Sequence, residues 1–254
     1  MTKKERGYLT ELYYFALSFF VYGFLGWCTE VAYAAAKQGK FVNRGFLNGP
    51  ICPVYGIGVG VVVQFLTPVE NNLVLLYISS TILVTVIEGI TGFLLEKIFH
   101  NKWWDYSEQP LNIGGYVCVL FSLIWGVFCV LIVKIIHPLI YKVLTMIPLV
   151  LGIVVMACLA VGLLADLYVT ASGILKMNRR LEAMEKIAAE LKELSDKVGE
   201  NIYENVMEGM EFREEKKARI EELKAKYEEM AENRTKVGER LVKAFPKMQV
   251  GQHK

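Results

Sequence analysis

The chain has 254 residues, 54% of them hydrophobic, and a formal net charge of only +2. So small a net charge excludes nucleic acid as a main partner, and so apolar a composition with seven prolines is high for a soluble protein. Charges are sparse up to about residue 172, whereas Met177 to Lys254 holds roughly two thirds of them, nearly balanced in sign.

This asymmetry predicts a transmembrane domain over 1–172 and a cytoplasmic, charged, helical tail over 173–254. Leu12 to Ala36 reads as the first span, long enough to cross with tilt. It is too long for a cleavable signal peptide and lacks a small-residue cleavage site. A basic loop follows with Lys37, Lys40 and Arg44. Pro53 to Leu66, rich in glycine, reads as a short span extended by Gly49 to Cys52, with a re-entrant segment as the alternative. Leu73 to Phe99 is the third span and holds Glu88 and Glu96, and His100 to Asn112 is a polar loop. Gly114 to Val133 is the fourth span, Ile135 to Ile147 an amphipathic interfacial segment, and Pro148 to Thr170 the fifth span. Lys and Arg in the flanks number eight on the side of Lys37, Arg44, Lys97 and Arg179, against five on the side of Lys3 and Lys134. The positive-inside rule therefore places the first side in the cytoplasm.

In the tail, Met177, Leu181, Met184, Ala188, Leu191, Ser195, Val198 and Ile202 alternate at spacings of four and three, a heptad seam. A second series runs through Ile220, Leu223, Tyr227, Met230, Val237 and Leu241, interrupted by Arg234. Either seam alone would expose a stripe of apolar side chains. An antiparallel hairpin turning near Gly209 is expected, with a parallel coiled coil between subunits as the alternative.

Ionisable side chains inside lipid are costly and mark polar sites. Glu30 and Glu88 lie at similar depth if their spans run in the same direction, and each needs a partner. Arg44 is expected to approach both. The alternative is an ion pair that only pins helices together. The segment Arg44 to Gly56 carries Gly45, Gly49, Gly56, Pro50 and Pro53 and cannot be one continuous helix. Such backbone is tolerated at membrane depth only when covered by protein or lining a wet cavity, so the loop is expected to fold back onto the bundle. Asp105, among Trp103, Trp104 and Tyr106, is expected to cap the next helix or pair with Arg44, and Asn112 is a further polar candidate. Gly89, Gly92, Gly114 and Gly115 are expected to let helices pack closely. His100 and His137 look isolated, and no metal is expected at either. The five cysteines, Cys28, Cys52, Cys118, Cys129 and Cys158, form no C-x-x-C pair and read as apolar packing residues.

These residues give the chain a resemblance to a family of bacterial membrane proteins, the CmpB-like, type IV group of ABC-transporter permeases. It rests on Gly26-Trp27-x-x-Glu30, Asn43-Arg44-Gly45-Phe46-Leu47-x-Gly49-Pro50-x-x-Pro53-x-Tyr55-Gly56 and Glu88-x-x-x-Gly92-x-x-x-Glu96. It continues through Trp104-Asp105-Tyr106-Ser107, Pro110-x-Asn112 and Ser122-x-x-Trp125-Gly126. Together these span roughly residues 12 to 140; the tail lies outside. The resemblance implies a permease and supplies neither substrate nor catalytic residues. The chain contains no G-x-x-x-x-G-K-[ST], G-x-S-x-G or H-E-x-x-H. Neither an enzyme nor a cofactor is expected, and ATP-powered transport would need a separate ATPase subunit.

The expected fold is thus all-α: about five spans followed by a helical hairpin or coiled coil. The expected function is the membrane component of a transport system in the bacterial plasma membrane, contacting lipid, possible as a homodimer, with Glu30, Arg44, Glu88, Asp105 and Asn112 as site candidates. A non-transporting scaffold or sensor whose tail recruits a partner is the alternative. A membrane enzyme acting on lipid-linked substrates ranks third.

Overall fold

The computed structural model describes residues 3–204, 210–232 and 235–245. The chain is a helical membrane bundle followed by a helical tail that returns to it. The helices are α1 (Lys3–Gln38), α2 (Pro53–Leu66), α3 (Leu73–Phe99), α4 (Val119–Leu131), α5 (His137–Thr145), α6 (Leu149–Glu204), α7 (Met210–Glu232) and α8 (Lys236–Ala244). Two short strands, β1 (Asn112–Ile113) and β2 (Val117–Cys118), pair antiparallel in the loop before α4.

Among the described residues, four helical stretches are long and apolar enough to cross a membrane: Leu9–Gln38, Leu73–Phe99, Val119–Thr145 and Leu149–Lys197. Pro53–Val69 is apolar but shorter. Apolar side chains such as Val74, Ile82, Val150, Val161 and Tyr168 stay exposed on these helices, which in a membrane means facing lipid. The interior packs apolar side chains such as Val62, Leu76 and Val133, with the small polar Ser80, Ser122 and Thr170 buried among the helices.

Three sequence expectations are corrected. Gly49 to Cys52 does not extend the second helix, which starts at Pro53, where the ring sets φ and the missing N–H costs nothing. Gly114 and Gly115 do not pack helices: at φ of 62° and 75° they form the turn between β1 and β2, and the helix begins only at Val119. Ile135 to Ile147 is not a separate interfacial helix. It continues α4 through a π-helical stretch, Ile132–Ile136, to make one 27-residue span.

Close approach of α1 and α2 depends on glycine. A Cβ on Gly26 would sit 2.3 Å from the Tyr55 ring, and one on Gly56 would sit 2.6 Å from the Phe19 carbonyl. Gly92 and Gly89 face Trp104, Tyr116 and Val117 of the loop before α4, so they admit that loop and not a neighbouring helix.

α6 runs unbroken through residue 172, so membrane and tail differ in composition along one continuous helix. At 1.5 Å per residue its 56 residues reach about 84 Å, far beyond a bilayer. α7 packs on its distal part: Arg219 Nη2 pairs with Glu190 Oε1 at 3.1 Å. Since α6 ends at Glu204 and α7 starts at Met210, that contact makes the pair antiparallel. Gly209 and Arg234 lie outside the described residues. The buried seam on α6 includes Met177 and Ile187, whereas Ala188 and Ser195 are exposed, so the expected seam drifts off register by one residue. A straight helix repeats every 3.6 residues and a heptad every 3.5.

Val237 and Leu241 do not continue the α7 seam as the sequence suggested. They belong to α8, which folds back to the base of α6. Leu241 is fully buried with Ile174, Phe99 and Trp103, and Ala244 is buried with Ala34 and Val42. Gly173 on α6 leaves room for Val237.

Candidate functional site

The loop joining α1 to α2 is where the bundle and the tail meet. Asn43 organises it from within. Its Oδ1 accepts hydrogen bonds from Trp27 Nε1 (2.8 Å) and Gly45 N (3.1 Å), and its Nδ2 donates to the Asn48 carbonyl (2.7 Å). Asp166 on α6 holds the loop from one side. Its Oδ1 accepts from Asn48 N and Nδ2, and its Oδ2 from Gly49 N at 2.7 Å. Cys52 N donates to the Gly23 carbonyl of α1 (2.9 Å). Arg240 on α8 closes the other side, donating to the carbonyls of Gly45 (2.7 Å) and Phe46 (2.8 Å) and to Asn48 Oδ1 (3.1 Å). Phe46 packs at a tilt against Phe99 and Trp103, and Leu47 is buried. The loop folds back onto the bundle, and irregular backbone that could not survive in lipid is satisfied by protein groups.

This loop carries Arg44 to Glu30: Nε lies 3.4 Å from Glu30 Oε2, with both side chains about three quarters buried. Tyr55, one turn into α2, donates its hydroxyl to Glu30 Oε1 at 2.9 Å. The Arg44 guanidinium also lies over the Tyr33 and Phe245 rings, 4.7 and 5.6 Å from their centroids. Two of the three expected partners therefore meet. Glu88 does not form an ion pair among the described residues. Its Oε1 accepts from the Tyr106 hydroxyl at 3.2 Å, while its buried Oε2 has no hydrogen-bond partner there. Burial first, then the charges of Glu88 and, further down, Glu30, push the Tyr106 phenol well above its ordinary range.

Asp105 and Asn112 shape the loop that presents Tyr106. Asp105 neither caps α4 nor pairs with Arg44. Its Oδ1 accepts from Ser107 Oγ (2.5 Å) and N (2.9 Å), an Asx-type turn, because the next helix starts a dozen residues later. Asn112 Nδ2 donates to the Gln109 and Ser107 carbonyls, and its Oδ1 accepts from Gly115 N. Tyr106 N donates to the Gly115 carbonyl, which fixes the tyrosine over α3.

Cys52 lies under this assembly. Burial, reinforced by Glu30, pushes its thiol up to about 12, so it is held as an uncharged packing group. His137, read from sequence as isolated, meets Tyr22 on α1.

Sequence reasoning missed Tyr55, Tyr106, Asp166 and Arg240 as parts of the site. The two tyrosines stand inside the motifs that carry the family resemblance, Tyr55 two residues after Pro53 and Tyr106 next to Asp105. Asp166 could have been found as a carboxylate in an apolar run. Arg240 carries no local signal among so many tail charges.

The bundle thus holds two polar groupings: the Glu30–Arg44 ion pair clamped by the Tyr55 phenol, and the Glu88 carboxyl under Tyr106 with one oxygen unpartnered among the described residues. No curated protein and no solved structure matches the chain. The family described as "Putative ABC-transporter type IV" matches residues 17–171, which include α1 from Leu17 onward, the clamped loop, Glu88, Tyr106 and Asp166. With more than half its length covered by that match, the chain belongs to this family of membrane proteins.

Proposed function

We propose that the chain is the permease-like membrane subunit of an ABC-type transport system in the bacterial plasma membrane, with its tail in the cytoplasm. The observation that carries this reading is Glu88. A carboxyl among membrane helices that only pinned the fold would be paired with a cation, because an uncompensated one is costly there. Glu88 has one phenol donor and one oxygen without a partner among the described residues, so it can receive a hydrogen bond or proton from a polar substrate group. Glu30 and Arg44 set the charge of the wall beside it, and Asp105 and Asn112 act by fixing the Tyr106 loop. The chain carries no phosphate-binding loop, so ATP is hydrolysed by a separate subunit, and this chain does no covalent chemistry of its own. The lipid-facing side of α6 has room for a second copy.

A scaffold or sensor whose tail recruits a partner is the second reading. The docking of α8 on the loop favours it, since the tail then reports directly on the membrane domain.

The full-length chain, tagged and purified from its native membrane in mild detergent, separates the two. The transport reading expects ATP hydrolysis to copurify and Glu88→Gln to uncouple or abolish it while the complex stays assembled. A complex without ATPase activity, in which Glu88→Gln changes nothing and tail deletion removes the bound partner, supports the scaffold and defeats the transport reading.

A further inference from the structure

The span that begins at Val119 changes pitch just before His137. Pro138 has no N–H to offer the preceding turn, and Ile132–Ile136 is π-helical, with His137 N donating to the Ile132 carbonyl. Single π turns inside α-helices are frequent at functional sites. His137 faces α1, and its Nδ1 lies 2.9 Å from the Tyr22 hydroxyl with the rings stacked.

In front of this pair is a cleft of about 60 Å³, lined among others by Tyr14, Ser18, Tyr22, Gln64, His137 and Tyr141. A water needs about 10–15 Å³ of such space and two or more polar partners, so the cleft has room for more than one. Ser18 and Tyr22 form its floor, each only 4% exposed. The groups facing the imidazole are neutral or weakly acidic: Tyr14 and Tyr22 from α1, Gln64 from α2, Tyr141 from its own helix. Lys134 and Lys142, also on that helix, are exposed and do not line the cleft. Along α1, Tyr22 precedes Glu30 by eight residues, about 12 Å of axis, so the cleft is separate from the Glu30–Glu88 centre.

We propose that His137 is a proton-binding site, supplied by water through this cleft. A neutral imidazole carries one N–H and one free lone pair. A solvent proton relayed by the cleft waters to that lone pair, each water receiving one proton as it passes one on, gives a ring with two donors and no acceptor. Tyr22 must then accept from Nδ1, and its own hydroxyl proton must turn away, toward a cleft water or Ser18 one turn earlier on the same face. Where Nε2 carries the hydrogen beforehand, Nδ1 accepts from Tyr22, and proton uptake at Nδ1 reverses that bond and rearranges the floor of the cleft; where Nδ1 carries it, the proton goes to Nε2 and Tyr22 keeps accepting. This inference does not depend on what the Glu30–Glu88 centre carries.

The test is histidine NMR on the full-length protein in nanodiscs. The sequence has His100, His137 and His253, so His137→Gln assigns the His137 signal by its loss. The expected result is titration of that signal between about pH 5 and 8, with the midpoint moved by the isosteric Tyr22→Phe. Ser18→Cys should gain labelling by a charged, water-soluble thiosulfonate over the wild-type background. A His137 ring that keeps one protonation state across that range overturns the proposal, as does a Ser18→Cys protein labelled no faster than wild type.

Discussion

Arg240→Ala tests whether the tail clamps the loop. The guanidinium gives three hydrogen bonds, to the carbonyls of Gly45 and Phe46 and to Asn48 Oδ1. Burial holds its pKa below the usual arginine range, with Asp166 and Cys52 opposing that shift, so the charge sits in a protected place. Hydrogen bonds to charged groups contribute about 1.5–3 kcal/mol each. Bonds from one rigid fork do not add fully, and water replaces part of the loss, so about 3 kcal/mol of docking energy is a reasonable total. That is roughly a hundredfold change in the ratio of docked to undocked α8. Leu241 and Ala244 remain buried in the variant, so partial docking persists. The assay is amide hydrogen exchange on the full-length protein in nanodiscs, read at Gly45, Asn48 and Gly49, whose N–H groups bond Asn43 and Asp166. Arg240→Ala should speed their exchange by up to about two orders of magnitude, and Arg240→Lys should fall between, because an ammonium cannot span three acceptors. Lys243→Ala, at an exposed α8 position, is the control. Loop exchange that stays at wild-type rate in Arg240→Ala would refute the clamp.

Leu241→Ala should cost about 2–5 kcal/mol of α8 docking, the range for truncating a fully buried leucine, seen as faster proteolysis after α7. Gly56→Ala should destabilise by roughly 1–3 kcal/mol in detergent melts, because the new methyl meets the Phe19 backbone, whereas Gly162→Ala, with nothing within 4 Å, should not. Hydrogen bonds from Ser107 Oγ, then Ser107 N and the Lys102 charge, hold Asp105 below the usual carboxylate range. Its contribution to the Tyr106 loop is therefore complete above the unfolded value of about 3.9 and is lost as pH falls through the folded one. Trp104 fluorescence should stay constant from neutral pH down to about 4 and change below it, with Asp105→Asn removing that step. Cys52 should resist maleimide at pH 8 in the intact protein and react in Arg240→Ala, whose loop is loosened; labelling at equal rates in both would contradict its burial.

Helices written in single apolar runs were legible, since twenty or more apolar residues in lipid have few alternatives to a helix. So α1, α3 and the membrane part of α6 fall where the runs lie. Segments that depend on pitch or turn chemistry were not. The π stretch before His137 converts two expected pieces into one span, and Gly114-Gly115 reads equally as helix packing or as a hairpin turn until the partner strand is seen. The candidate site was half legible. Glu30 and Glu88 announce themselves by their cost in hydrocarbon, and Arg44 by lying in a loop that must be covered. Which carboxylate takes the arginine depends on where that loop lands, and Asp166, more than 110 residues away, decides that.

By itself the sequence determined that this is a membrane protein with an internal polar centre, a covered loop and a helical tail. These follow from the local cost of placing each residue in water or lipid. The tertiary structure alone decided the partners. Arg240 reaches Gly45 across 195 positions, Tyr22 reaches His137 across 115, and Glu88 is left to a phenol instead of a cation. Such pairings arise from how helices stack and where the tail returns, and no periodicity along the chain encodes them.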